Sequence, residues 1–269
     1  NNAVKFTKNI QILTLLIFLL ATTTLYFLMW FTHNMSHPDV TIKITTLEFQ
    51  SSDASEPPLS HNWLPVSLPD DWYHSKRDNV NGWYRYEFNT EVAPNRLWGL
   101  YLPSLQSNAA VYLNNELLGT GGGFSNPISR NWNRPLYFAI PNGLIQPGAN
   151  RIHIRLISNP PNKGLLAQMY LGPAEFLQPA FQLKYFMRYT LSQFIIILLT
   201  FTSILMFMLW RHRSQQTIYA WYGLALFSWT IHNLNLVVID IPFSVRVWDW
   251  LMYVSLIWFP VFATCFVQR

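Results

Sequence analysis

Four long apolar runs constrain this chain more than any other feature it has. Crossing the hydrocarbon of a bilayer as a helix takes roughly 20 apolar residues. Residues 10–31 supply one such run without a charge, and residues 190–210, 218–238 and 248–267 supply three more. Between the first and second runs lies a mixed stretch with frequent Pro, Gly and polar residues. Only 12% of the chain is charged while 51% is hydrophobic, an unusual balance for a protein that meets water on all sides. The expectation is a membrane protein with four spans, a tail of residues 1–9, and a water-exposed domain over residues 38–180.

The cations set the direction. Lys5 and Lys8 precede the first run, Arg211 and Arg213 follow the second, and Arg269 follows the fourth. The positive-inside rule places these in the cytoplasm and the middle domain outside it. Lys184, Arg188 and Arg246 stand against this balance. Trp30, Trp210, Trp221, Trp248 and Trp250 lie near span ends, as an interfacial aromatic belt requires. The first run is longer than the roughly 7–15 residues of a cleaved signal, and no small-x-small site follows it, so it reads as a retained anchor. Residues 38–180 are then expected outside the cytoplasm.

Composition excludes some functions. The net charge is +5, but the cations form no patch with interleaved aromatics, so no nucleic acid is expected as a partner. Cys265 is the single cysteine and cannot form a disulfide within the chain. The seven histidines are scattered, without metal-ligand spacing. There is no Gly-x-Ser-x-Gly, no His-Glu-x-x-His and no phosphate-binding loop, so neither catalytic residues nor a cofactor are expected. The run Gly119-Thr120-Gly121-Gly122-Gly123 lacks the Lys-Ser/Thr of such a loop and reads as a turn region after a hairpin.

In the middle stretch the apolar period falls to two. Ile152, Ile154 and Leu156 alternate with His153 and Arg155; Val111 and Leu113 flank Tyr112; Tyr84, Tyr86 and Phe88 oppose Trp83, Arg85 and Glu87. Residues 42–49, 97–102, 136–140 and 168–171 are further strand candidates, separated by Pro- and Gly-containing turns. Many short strands with regular turns predict an antiparallel β-sandwich or jelly roll. The fold class is thus β + α: a β-sandwich between an N-terminal transmembrane helix and a helical transmembrane bundle.

Three segments carry a resemblance. Gly82-Trp83-Tyr84-Arg85-Tyr86-Glu87-Phe88, then Ala110-Val111-Tyr112-Leu113-Asn114-Asn115-Glu116, then Pro147-Gly148-Ala149-Asn150-Arg151-Ile152 resemble the sugar-binding jelly roll at the start of family-2 glycoside hydrolases, over residues 60–172. With an anchor before and spans after, the chain resembles the bacterial seven-transmembrane receptors with diverse intracellular signalling modules (7TM-DISM). Asn131-Trp132-Asn133-Arg134-Pro135-Leu136-Tyr137-Phe138 and Tyr219-Ala220-Trp221-Tyr222-Gly223 add to this. The resemblance implies a galactose-binding-like fold, likeness to the first part of a sensor histidine kinase or diguanylate cyclase, a homodimer, and a multi-pass location in a bacterial inner membrane with residues 38–180 in the periplasm. It also implies a periplasmic small molecule, glycan or protein as ligand. The chain departs from the pattern, since only three spans follow the β-domain and no output module is among its residues.

Aromatic stacking and bidentate Arg contacts hold sugars and anions, which singles out Trp83, Arg85, Arg130, Trp132 and Arg134 as ligand candidates. Trp83 also reads as core, and Arg85 as a partner of Glu87 or of a loop carboxylate. His232, Asn233 and Asn235 are costly in lipid unless they face protein or water. His232 and Asn235 are three apart and share a helix face, for a polar pocket or for interhelical hydrogen bonds. Asp240, Arg246 and Asp249 are expected at the headgroup level. A signalling receptor, with membrane lipids around its spans, fits these features better than a transporter, which would show broken helices, or a membrane-anchored glycan-binding scaffold. A short link over residues 172–189, stiffened by Pro173 and Pro179, is expected to couple the two halves.

Overall fold

The computed structural model describes Leu19, Thr22, Thr23 and Tyr26, then residues 41–59, 62–77, 80–158 and 163–268. Those four apart, the expected helix of residues 10–31 lies outside the described residues. The chain divides into the units Asn1–Asp39 and Val40–Arg269, and the strands and later helices belong to the second.

In chain order the strands are β1 (Ile42–Ile44), β2 (Thr46–Gln50), β3 (Leu64–Ser67), β4 (Asp70–Asp71), β5 (Asn81–Thr90), β6 (Trp98–Leu102) and β7 (Leu105–Gln106). Then come β8 (Asn108–Leu113), β9 (Glu116–Thr120), β10 (Leu136–Ile140), β11 (Gly148–Ile157), β12 (Leu165–Leu166) and β13 (Met169–Pro173). A four-stranded sheet of order β1-β13-β6-β10 faces a six-stranded sheet of order β3-β2-β5-β11-β8-β9. A small sheet, β4-β12-β7, stands beside them. All pairings are antiparallel.

Side chains from both sheets meet in one core. Leu100, Leu102, Phe138, Ile140 and Leu171 come from the first sheet, and Leu47, Tyr84, Val111, Ile152 and Ile154 from the second. In β11 Ile152, Ile154 and Leu156 face this core, while His153 is buried on the opposite face, so the strand is covered on both sides. Asn114 and Asn115 have φ of 50° and 71°, the left-handed pair of a type I′ turn, which closes the β8–β9 hairpin with the twist the strands need. At one end of the core Trp72 is wholly buried; its Nε1 donates to the Tyr84 hydroxyl at 2.7 Å, and that hydroxyl donates to Asp70 at 2.8 Å. Burial first, and then the Asp70 carboxylate, push the Tyr84 phenol well above its usual range.

Two expectations are corrected by this fold. Residues 42–49 are not one strand. Ile44 and Leu47, both buried, are an odd number of residues apart. They can both point inward only because the chain leaves the four-stranded sheet after Ile44 and joins the six-stranded one at Thr46. The link after the sandwich is also not a proline-stiffened loop. β13 ends at Pro173 and α1 (Ala174–Tyr185) begins at the next residue. Residues 174–180, expected in the β-domain, are its first turns. Pro173 is the N-cap, where no N–H is needed. Pro179 sits within the helix and forfeits one helix bond.

α1 passes through a π-helical turn, Phe186–Thr190, into α2 (Leu191–His212), so residues Ala174–His212 form one long helix. α3 (Ile218–Asn233) runs on into a 3-10 turn, Leu234–Leu236, and α4 spans Val245–Val267. The third apolar run is therefore helical for less of its length than its hydropathy implies. Ala174–His212 and Val245–Val267 are long and apolar enough to cross a membrane. α3 packs against both α2 and α4. Ser203 donates to the Gly223 carbonyl at 2.9 Å and Ser228 to the Ser255 carbonyl at 2.7 Å, so small polar residues line the seams.

Candidate functional site

After β9 the chain crosses the end of the sandwich, and its path is fixed by close approaches. A Cβ on Gly121 would lie 2.5 Å from Asn108 Oδ1 and 2.7 Å from Asn131 Nδ2. Gly122 has φ of 148° and would drive a Cβ into the Ser129 hydroxyl. Only glycine satisfies both positions, which explains this part of the Gly-rich run. Wholly buried Asn131 then staples the segment. Its amide donates to Asn108 Oδ1 and to the Gly121 carbonyl, each at 3.1 Å, and its N–H donates to the Ser107 carbonyl at 2.8 Å. Arg134 completes the staple, its Nε donating to Asn131 Oδ1 at 2.9 Å and its Nη2 to the Gly121 carbonyl. Expected as a ligand contact, Arg134 spends its guanidinium on holding the loop.

Held this way, residues 129–133 meet the helices. The Arg130 N–H donates to the Ile239 carbonyl at 3.0 Å. The Ser129 hydroxyl accepts from the Gly123 N–H at 2.7 Å and donates to Asp240. Asn133 reaches furthest: its amide donates to the Arg188 carbonyl at 2.9 Å and to the Leu236 carbonyl at 3.2 Å. Arg188 lies in the π turn and Leu236 in the turn after α3, so one side chain ties the β-domain to two separate helical segments. A second tie runs along α1. Phe181 packs on Tyr101 of β6 and Tyr137 of β10, and Tyr185 and Tyr189 continue the aromatic row at centroid spacings of 5.6 and 5.1 Å.

Where the loop of residues 129–133 meets α3 and α4 lies a cleft of about 300 Å³. The sandwich contributes Gln106, Ser107, Arg130 and Trp132. Asn235 and His232 enter from the end of α3, and α4 contributes Asp249, Met252, Tyr253 and Leu256. Ser107 has φ of 71°, a left-handed conformation uncommon for a residue with a Cβ, at the cleft wall. Arg130 Nη1 is buried with no hydrogen-bond partner. Burial lowers the guanidinium's pKa, and the Asp249 carboxylate partly opposes this. Asp249 lies in the first turns of α4, and Tyr253 and Leu256 lie further along it.

The structure sorts the sequence candidates into separate places. Arg130 and Trp132 line the cleft together with His232 and Asn235. His232 Nδ1 lies 3.1 Å from the Met252 carbonyl, and Asn235 Oδ1 accepts from Trp248 Nε1 at 3.0 Å, so both also join α3 to α4. Asn233 turns back to the Trp229 carbonyl at 2.7 Å within its own helix and does not line the cleft. Trp83 and Arg85 belong elsewhere, on the outer face of the six-stranded sheet. Trp83 is fully buried there, donates to the Ala54 carbonyl at 3.2 Å and packs on Tyr112. Arg85 pairs with Glu48 at 2.6 Å and lies 4.6 Å over Trp63. Both are consumed by packing. Asp240, expected with Asp249 at the headgroup level, accepts from Ser129, and Asp249 lines the cleft. Ser129, Asn133, Gln106 and Ser107 were not signalled. A short run of Asn around Trp132, where a loop leads into a strand, is the one sequence trace of it. Among the described residues no three His, Cys, Asp or Glu side chains gather as for a metal.

Neither a protein-family model nor a curated protein matches the chain. Solved structures similar to it include a GH2 β-galacturonidase from Eisenbergiella tayi, at 12% identity and a TM-score of 0.38 over 49% of this chain and 24% of that one. A glycosyl hydrolase family 2 member from Bacteroides cellulosilyticus shares 16% identity, with a TM-score of 0.39 over 49% and 20% of the two chains. A β-glucuronidase from Ruminococcus gnavus in complex with D-glucuronic acid shares 16%, with a TM-score of 0.37 over 51% and 30%. The chain thus spans less than a third of each of these proteins.

Proposed function

We propose that this chain is the sensory and coupling part of a bacterial inner-membrane receptor of the 7TM-DISM kind. Its sandwich, a galactose-binding-like jelly roll on this reading, lies in the periplasm and receives a small molecule, a glycan or a partner protein. The helices cross the membrane and relay the event to a cytoplasmic output module, a histidine kinase or a diguanylate cyclase, in a homodimeric receptor. The observation that carries the reading is Asn133, whose one amide holds both the π turn of the long helix and the turn after α3. A shift of the loop at residues 129–133 must therefore move the two helical segments relative to each other or break those bonds. π turns are easily displaced helical elements and are frequent at functional sites. A ligand acts through such an element only by binding its two arrangements unequally.

The topology is tested at Thr120, an exposed position on β9. Thr120→Cys is expected to react with a membrane-impermeant maleimide in intact spheroplasts, and protection there would sink the periplasmic placement. Coupling is tested in the full-length receptor with Asn133→Ala. Output is expected to lose its dependence on the periplasmic stimulus while the sandwich stays folded. An unchanged response would show that the bridge transmits nothing.

A further inference from the structure

The cleft between sandwich and helices carries more than a docking contact. Arg130 and Asp249 face the same space, close enough for the carboxylate to influence the guanidinium, yet no ion pair joins them among the described residues. Arg130 Nη1 is buried and donates to nothing. A half-desolvated cation with an unused donor is costly unless something arrives to accept from it. An anion alone would meet the Asp249 carboxylate, and a cation alone would meet Arg130. A ligand bearing both charges satisfies both walls.

The size and lining narrow the ligand further. A volume of about 300 Å³ is at the small end for ligand clefts, enough for a headgroup but not for an oligosaccharide or a folded partner. Beyond the charged end the walls turn apolar. Leu256 is seven residues past Asp249, about 10 Å along the helix axis. Tyr253 is 67% exposed and Ile257 64%, so the apolar lining continues as an open face of α4. We infer that the cleft binds the headgroup of a zwitterionic phospholipid, with the phosphate oxyanion on Arg130, the ammonium on Asp249, and an acyl chain laid along Tyr253 and Leu256. The inference rests on the membrane reading above and adds a second input to it. A lipid seated there touches the loop that carries Asn133, so bilayer composition biases the same helical contacts as a periplasmic ligand.

The test is native mass spectrometry of the 269-residue chain, released from mild detergent after exchange with an equal mixture of phosphatidylethanolamine and phosphatidylglycerol. One phosphatidylethanolamine is expected to be retained in preference. Arg130→Gln should cut that adduct by at least about tenfold, the size of one charge-assisted hydrogen bond. It should fold, because Nη1 has no internal partner to lose. Arg130→Lys keeps the charge and should keep most of the adduct. Asp249→Asn should turn the preference towards phosphatidylglycerol. Equal lipid retention in the parent, Arg130→Gln and Asp249→Asn chains would overturn the inference, as would equal losses in Arg130→Gln and Arg130→Lys. Competition by millimolar free phosphoethanolamine would show a soluble zwitterion as the ligand and overturn the lipid assignment. A chain that leaves the membrane fraction in alkaline carbonate would defeat the membrane reading and this inference together; one that stays but holds no phosphatidylethanolamine defeats this inference alone.

Discussion

The two halves of the molecule are packed inside out relative to each other. In the sandwich the large apolar side chains are hidden: Trp72, Leu100, Ile152 and Leu156 have essentially no exposed surface. In the helices they point outward, with Ile197, Leu198 and Phe201 each about two-thirds exposed (64%, 64% and 66%), while Ser203, Ser228 and Ser255 are buried. Only 6% and 11% of the most apolar stretches of the two long helices are buried. An apolar surface of that extent facing water is a large unfavourable term. The same surface facing lipid costs nothing, and small residues between helices then allow close approach. On the membrane reading proposed above, each half is stable in a different solvent, and the junction near Asn133 must satisfy both.

The comparison breaks most easily in the sandwich core. Trp72→Ala should cost about 3–5 kcal/mol, the range for truncating a buried Trp or Phe. It also removes the donor to Tyr84. Chemical unfolding followed by near-ultraviolet circular dichroism would read this, and a loss under about 1 kcal/mol would mean that the core is loosely packed. The helices should answer in the opposite way. Leu198→Ala on α2 should be nearly silent, whereas Leu198→Asp should oppose membrane insertion by about 3 kcal/mol. If Leu198→Asp instead gave a more soluble, equally folded chain, that face would be meeting water.

A pH titration sharpens the contrast on the sandwich side. His153 lies on the outer face of the six-stranded sheet, 4% exposed, 5.8 Å from the Trp63 ring, with no partner for Nδ1. Burial first, then Arg151 and Arg85, bring its pKa from 6.5 down to about 4. The unfolded chain therefore binds more protons than the fold between these values, so stability rises with pH across that window. Acidification from pH 6.5 to 4 should cost up to about 3 kcal/mol, at about 1.4 kcal/mol per pH unit, and then level off. Unfolding midpoints measured at intervals from pH 7.5 to 4 check this. His153→Phe should flatten the slope, and a slope that survives the change belongs to another group.

How much was legible differs between the halves for physical reasons. Period-two alternation revealed β5, β8 and β11, because large apolar residues line their core-facing side even though Trp83 and His153 are buried on the other, and turn signals bounded β10. The break at Thr45 is marked only by the odd spacing of Ile44 and Leu47, which the apolar residues on either side obscure. The helix at Ala174 was hidden by Pro173 and Pro179, whose local preference is overridden by packing of Phe181 on Tyr101 and Tyr137. For the cleft, Arg130, Trp132, His232 and Asn235 were each legible as polar or aromatic residues in unexpected company. Their meeting was not, since residues more than 100 apart in sequence come together only through the docking of loop on helix turn. Trp83 and Arg85 had the same chemistry as Arg130 and Trp132. Only burial and partners separate the two pairs.

The smallest effect bears most directly on how the helices hold together. Ser228 is buried, and its hydroxyl donates to the Ser255 carbonyl across the α3–α4 seam at 2.7 Å. In a sandwich core such a deletion would strand a polar partner; Asn131→Ala would leave Asn108, the Gly121 carbonyl and Arg134 short of bonds. Ser255 is different, because its carbonyl sits in the middle of α4, where the helix supplies an N–H from the residue four further on. Removing the Ser228 hydroxyl therefore orphans nothing, and Ala fills nearly the same volume. Ser228→Ala should cost only about 0.6 kcal/mol, the average for an interhelical hydrogen bond in a membrane. Ser228→Leu should cost several times more, because at this point the helices are close enough for the Ser228 hydroxyl to reach the facing Ser255 carbonyl and leave no room for a larger side chain. Thermal midpoints of the two variants in one detergent give the ratio. Equal losses would mean that the hydrogen bond, rather than close packing, holds α3 to α4.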